Sequence, residues 1–332
     1  MRIGVLGLGA VGARAARQLL ATDAVELVVV DDPDREQVAR VVSAMGARAE
    51  PAPLAHLDRA LDAVLLAGPS PHAPLVPAFL RAGAHVVSVS DDRDDVAELL
   101  TFDDLARRHG RTLVVGAGFA PGLSCLLALH AATDLDLVDE VHVAKHGTGG
   151  PACALQHHRA LRGRALDWWD GDWQQRPAGS GRELCWFPDP VGAQDCYRAD
   201  LPDALLLRRG FPTATRIIGR TSATRRDRLT GRLPMLRKPH PEGLAGAIRV
   251  EVRGTIGVER AIRVLGAMDR PAAVAGAVAA MAAVAAVDPT RAPGGMRRTG
   301  AGGLAELVAD PTALLAELAR RGVKAAIFEG AG

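Results

Sequence analysis

The residues best suited to chemistry stand at the start of the chain. Gly7-Leu8-Gly9-Ala10-Val11-Gly12 has the spacing G-x-G-x-x-G, directly after the apolar run Arg2–Leu6. After a strand and before a helix, this spacing has a physical purpose. The first glycine allows a tight turn, the second lets backbone approach a pyrophosphate, and the third lets the helix pack on the strand. The free N–H groups of that helix then face the phosphates. Gly7, Gly9, Ala10, Val11 and Gly12 are therefore expected to bind a dinucleotide. Asp31 and Asp32 follow the second apolar run, where an acid holds the adenosine ribose. Two carboxylates there repel a 2′-phosphate, so NAD is expected over NADP, with Arg35 as the counter-evidence. Ligands of parallel sheets sit at the carboxyl ends of the strands. Gly68, Pro69, Ser70, Ser90 and Gly118 stand at such ends and are expected near the same cofactor.

Proton donors are sought further along. Lysine occurs only at 145, 238 and 324, and Lys145-His146 ends a run of strand character. Either is a reasonable general acid for hydride transfer; the alternative is a solvated strand end. His157-His158 lies in a short helical stretch, where adjacent side chains point about 100° apart, so one of them can face a cleft. His157 joins the acid–base candidates. No carboxylate or cysteine stands at ligand spacing from these histidines, and no metal is expected. Phe119, Cys153, His158, Trp168 and Arg209 are the candidate substrate contacts. Trp168, Trp169, Trp173 and Trp186 are clustered, as a pocket wall, a core or a dimer interface requires. Arg208-Arg209 and the run Arg216, Arg220, Arg225, Arg226, Arg228, Arg232 and Arg237 read either as solvated loop or as forks for carboxylates.

These residues need scaffolds. With 332 residues and 48% hydrophobic composition, the chain is long enough for two domains with real cores. Apolar runs at Arg2–Leu6, Val25–Val30, Ala63–Ala67, His85–Val89 and Thr112–Val115 alternate with helical stretches, including one expected over 96–109. That alternation implies an α/β, doubly wound parallel sheet. Beyond Gly118 the pattern changes. Ile248–Arg253 alternates strictly between apolar and charged residues, as in a sheet with one wet face. The expected plan is a Rossmann domain over 1–120, an α+β substrate and dimerisation domain with a mixed or antiparallel sheet over 121–295, and a C-terminal helix and strand over 296–332 that pack back on the first domain. Gly294–Gly303 reads as a basic link. The alanine-rich Pro271–Val287 reads as a buried helix of a soluble protein rather than a membrane span. A net charge of +2 calls for neither nucleic acid nor membrane as partner. Four cysteines without C-x-x-C spacing suit a reduced, cytoplasmic protein.

Three segments carry a family resemblance. Gly116-Ala117-Gly118-Phe119-Ala120-Pro121-Gly122-Leu123-Ser124 resembles the G-x-x-P-G-[LI] segment of the saccharopine dehydrogenase-like family. Ala82–Ser88 is similar to its A-G-A-H-V-V-D strand, with Ser88 in place of the aspartate, and Phe187–Gly192 to its F-P-x-P-[VI]-G segment, followed by Cys196-Tyr197. The resemblance implies NAD(P)-linked hydride transfer at a C–N bond, between nicotinamide and an imine of an amine and a carbonyl. Ala120 stands where saccharopine-forming members carry aspartate, and Ser124-Cys125-Leu126 replaces their polar residues, which implies another amino-acid-like substrate. The alternatives are a simple amino-acid or hydroxy-compound dehydrogenase and a non-catalytic NAD sensor. The glycosyl-type version of the former carries Glu-Lys-Pro where this chain has Ser88–Asp92.

Overall fold

The computed structural model describes residues 1–53, 60–231, 233–235 and 238–328. The N-terminal elements are β1 (Arg2–Leu6), α1 (Ala10–Leu20), β2 (Leu27–Asp31), α2 (Arg35–Met45), β3 (Ala49–Pro51), β4 (Ala63–Leu66), α3 (Val76–Arg81), β5 (His85–Ser88), α4 (Arg93–Leu100), α5 (Asp103–Arg108) and β6 (Thr112–Val115). The middle of the chain gives α6 (Leu123–Ala131), β7 (Leu137–His146), α7 (Pro151–Ala160), β8 (Arg164–Trp169), β9 (Asp172–Pro177), β10 (Glu183–Trp186), β11 (Ala193–Arg198), α8 (Asp203–Gly210), β12 (Arg216–Ser222) and α9 (Arg225–Thr230). The remainder is β13 (Gly246–Ile256), β14 (Glu259–Asp269), α10 (Pro271–Val287), β15 (Gly300–Gly302), α11 (Leu304–Leu307), α12 (Pro311–Arg320) and β16 (Ala325–Phe328).

The first sheet is parallel throughout, in the order β15-β6-β5-β4-β1-β2-β3. Its central strands are unbroken apolar runs because helices cover both faces: Val64, Val86 and Val114 are fully buried. The second sheet is mixed, in the order β10-β11-β12-β7-β13-β14-β16, with β8 and β9 hung on β12. Along β13, Ile248, Val250 and Val252 face the core, while Arg249 and Arg253 clasp Glu251 on the other face at 2.6 Å each.

Four expectations change. The helix foreseen over 96–109 is two, α4 and α5, broken at Thr101-Phe102. Gly294–Gly303 is more than a link: Gly300–Gly302 pairs with β6 and extends the parallel sheet. The last strand joins the second sheet, not the first, because β16 pairs with β14. The basic run from Arg216 is no solvated loop at its start. Its first seven residues are β12, inserted between β11 and β7 with Ile217 and Thr221 fully buried. Arg232 and Arg237 lie outside the described residues. Helix α10 is apolar on every side because it runs between α1 and the first sheet. No helix among the described residues is long and apolar enough to cross a membrane.

Candidate active site

The glycine turn is built almost wholly from backbone. Gly7 has φ +92°, which a side chain rarely tolerates, and a Cβ there would run into the backbone of Gly68. A Cβ on Gly12 would run into the carbonyl oxygen of Gly7. A Cβ on Gly9 would meet no atom within 4 Å. Gly7 and Gly12 are thus glycine for the fold, whereas Gly9 keeps open space in front of the helix. No side chain caps α1, so its first N–H groups remain available to an anion. The residues fit a pyrophosphate cradle.

The two acids after β2 divide the work. Asp31 ends the strand and pairs with Arg35 at 2.9 Å. Asp32 turns back instead: its carboxylate accepts the Leu8 N–H at 2.6 Å and the Asp34 N–H at 2.8 Å. Asp32 therefore props the glycine turn rather than offering a second carboxylate to a ribose, which corrects its expected role. Gln37 adds a bond to the Leu8 carbonyl at 2.8 Å. Gly68 lies against Gly7, and Ser70 and Ser90 bond each other at 2.7 Å beside the same turn of chain. His72 ties this corner together, touching Ser88 Oγ at 2.8 Å and the Gly68 carbonyl at 3.0 Å.

A cleft opens beside the start of α1. Val11 lies on one wall, with Val89 and Asp91 from the end of β5, Gly118–Pro121 from the end of β6, and Pro271 and Ala275 from α10. Opposite them are Lys145 on β7, the loop Gly147–Gly149, and Cys153 and His157 on α7. Lys145 is 7% exposed, and its Nζ donates to the Ala120 carbonyl at 3.2 Å. Two carboxyls feel its charge. Asp91 is pushed up to about 6 by burial, with Lys145 opposing the shift. Asp203, at the start of α8, is also raised by burial against the pull of Lys145. One Asp203 oxygen accepts the Ser124 hydroxyl at 2.9 Å; the other is buried without a hydrogen-bond partner among the described residues.

Strand geometry separates Lys145 from His146. Adjacent strand residues face opposite sides. Val141, Val143 and Lys145 share the buried face, while His146 turns away to Ser222 Oγ at 2.8 Å and tilts over Phe187. His146 is thus not a proton donor to this cleft. His157 does face it, near Thr221 Oγ1 at 3.3 Å. Burial lowers it to about 4, so at neutral pH it is uncharged and unsuited to the acid role expected of it. Cys153 lines the cleft with its thiol pushed up to about 12 by burial, a neutral wall rather than a nucleophile.

Three expected substrate contacts lie elsewhere. His158, one helical step from His157, bonds the Leu233 carbonyl at 2.8 Å. Trp168 sits toward the opposite end of β12, donating to the Ala214 carbonyl at 2.9 Å and packed edge-on against Trp173 under Arg208. Arg209 pairs with Glu306 at 2.6 Å and buttresses α8 against α11. Phe119 and Gly118 do line the cleft.

Comparisons with known proteins now have a geometry to meet. Residues 1–117 match the model of the Gfo/Idh/MocA family, described as an oxidoreductase family with an NAD-binding Rossmann fold. Over those residues the chain is similar to the NAD-binding Rossmann unit that the family model describes. No curated protein matches the chain in sequence. Among solved structures, an apo saccharopine dehydrogenase (L-Glu forming) of Saccharomyces cerevisiae is similar over 98% of this chain and 99% of its own, at 16% identity and a TM-score of 0.67. A DAP dehydrogenase of C. glutamicum, in complex with DAP, is similar over 97% and 98% at 16% identity and a TM-score of 0.54. An engineered D-amino acid dehydrogenase bound to NADP+ is similar over 97% and 99% at 15% identity and a TM-score of 0.51. These likenesses extend the resemblance through both sheets as a likeness of fold. The segment matched by the family model supplies the glycine turn and Asp91; Lys145 and His157 come from the part of the chain beyond that match.

Proposed function

We propose that the protein is an NAD-dependent dehydrogenase or reductase acting at the C–N bond of an amino-acid-derived imine or amine. One observation carries this reading. Lys145 is buried among apolar walls where the start of α1 and the ends of β5 and β6 converge, and among the described residues it is the only lysine or arginine lining the cleft. When bound, the nicotinamide supplies or takes the hydride. In the reductive direction Lys145 gives a proton to the nitrogen as its neighbouring carbon gains hydride; in the oxidative direction it takes the proton back. Asp91 and Asp203 hold that proton balance, since their carboxyls compensate a charged lysine and tolerate protonation when it is neutral. Phe119, Pro121 and Ala275 exclude water from the reacting atoms.

The choice of NAD rests on Asp31. Its carboxylate ends β2 where a ribose hydroxyl would be held, and its partner Arg35 is a mostly exposed side chain that yields at little cost.

The reading is tested by following NADH oxidation with paired oxo acids or aldehydes and amines. Turnover that requires both partners supports imine reduction. Turnover with an oxo acid and ammonia alone moves the assignment to amino-acid dehydrogenation. Tight NADH binding with no turnover across the panel would leave a sensor.

A further inference from the structure

A second cavity shares no lining residue with the cleft. It measures about 680 Å³, lies beyond the far end of α7, and is walled by the loop after that helix, by the β9–β10 connection, by β11 and by α9. Its size is that of a small-molecule pocket. Its charge is unusual: Arg162, Arg182, Arg225 and Arg228 line it, against Asp195 as the one acidic residue among the described residues of its wall.

The four arginines are not equivalent. Arg228 is already fixed. Its guanidinium lies 4.1 Å from the centre of the Tyr197 ring, and its Nε donates to the Gly179 carbonyl at 2.9 Å, which leaves the terminal nitrogens for another acceptor. Arg182 is held by Asp195 at 2.9 Å. Among the described residues, the side chains of Arg162 and Arg225 have no hydrogen-bond or ion-pair partner. Four guanidinium groups around one depression, two of them without a partner among the described residues, give it a positive field that attracts an anion, and planar forks suit phosphate or carboxylate oxygens. Leu161 and Leu229 add apolar wall between the charges, as a ligand with a body as well as charged groups requires. A single-stranded nucleic acid would need free aromatic faces, and the Tyr197 ring is covered by Arg228.

We infer that this cavity is a binding site, separate from the nicotinamide cleft, for a small molecule carrying two or more phosphate or carboxylate groups. The site gathers the arginines of α9, which the hydride chemistry leaves unused, with those of the α7 and β10 loops.

The experiment is calorimetric titration at low ionic strength of the full chain saturated with NADH, so that the glycine turn is filled. The probes are inorganic pyrophosphate and citrate. One saturable site is expected, weakened by added salt and weakened at least tenfold in the Arg162→Glu/Arg225→Glu double variant. Retained NADH binding shows that the variant folds. Preference for pyrophosphate marks a phosphate ligand, and preference for citrate a polycarboxylate. The inference is overturned if neither probe binds, or if both variant and parent bind alike. Should NADH itself fail to bind, the redox reading falls, while the comparison of parent with double variant, their folding then matched by circular dichroism, still decides this one.

Discussion

The glycine turn and the lysine cleft lie side by side, yet they are made in opposite ways. The turn is backbone from one short segment, held by Asp32 and Gln37 a few tens of residues away. The cleft is lined from five stretches of chain, brought together only when β7, β12 and β13 have paired. The first kind of site is specified by where a Cβ is missing. The second is specified by which carboxyls and amines are buried together. Substitutions in the turn should therefore act on folding and cofactor binding, and substitutions in the cleft on chemistry.

The largest effect is expected at Gly12. In Gly12→Ala the new Cβ meets the Gly7 carbonyl, which cannot move without opening the turn. Thermal unfolding should show a loss of several degrees or more, and NADH binding followed by fluorescence should vanish. Lys145→Met comes next. It keeps much of the side-chain volume while removing the proton donor, so kcat should fall by roughly 10²- to 10⁴-fold with the NADH Kd unchanged. Loss of NADH binding instead would make Lys145 a cofactor contact and blur the contrast. Gly9→Val sharpens it from the other side. With open space around its Cβ and an ordinary φ of −65°, the variant should melt like the parent, while NADH binds on the order of 100-fold more weakly.

Asp91→Asn is expected to act through pH. Burial raises the Asp91 carboxyl from the ordinary 3.8 to about 6, so it is protonated below pH 6 and ionised above. Amine oxidation should therefore rise through pH 6 in the parent and lose that limb in the variant. The native state holds this proton more tightly than the unfolded chain, so stability falls as pH climbs from about 4 to about 6 and stays lower above. Asp91→Asn removes that penalty and should melt higher than the parent at pH 8, by roughly 1–2 °C for each kcal/mol recovered. The smallest effect is assigned to Asp31→Ala, which should weaken NADH about tenfold and NADPH less. Equal weakening of both would remove the argument for NAD.

The turn was legible in the sequence because everything that defines it is local: a buried strand, three glycines at fixed spacing, and an acid at the next strand end. The parallel sheet was legible for the same reason, since unbroken runs such as Ala63–Leu66 announce burial on two faces. The cleft was only partly legible. Lys145 stood out by its scarcity, but His146 stood beside it as an equal candidate until the folded strand put Val141, Val143 and Lys145 on the buried face. Asp203 gave no such signal. It reaches Ser124 across 79 residues of chain, a contact set by the packing of α8 against α6 rather than by spacing. Trp168 misled because residue type alone does not say which end of a sheet a side chain occupies, and Arg209 because it does not say which neighbour a helix face meets. Arg216–Ser222 misled because arginines on the outward face hid a buried alternation, with Ile217, Gly219 and Thr221 beneath.

The way the tail of the chain is stitched into the molecule has a consequence for its birth. Residues 300–302 close one edge of the first sheet beside β6, and residues 325–328 line the edge of the second beside β14. The first sheet therefore waits until residue 302 has left the ribosome, and the second until residue 328 has. Until then β6 and β14 present bare amide and carbonyl rows to the crowded space around the exit tunnel, a liability that unpaired strand edges bring to any nascent chain. Deleting residues 296–328 should harm both halves together, so that the truncated product is recovered as aggregate rather than as a surviving Rossmann unit.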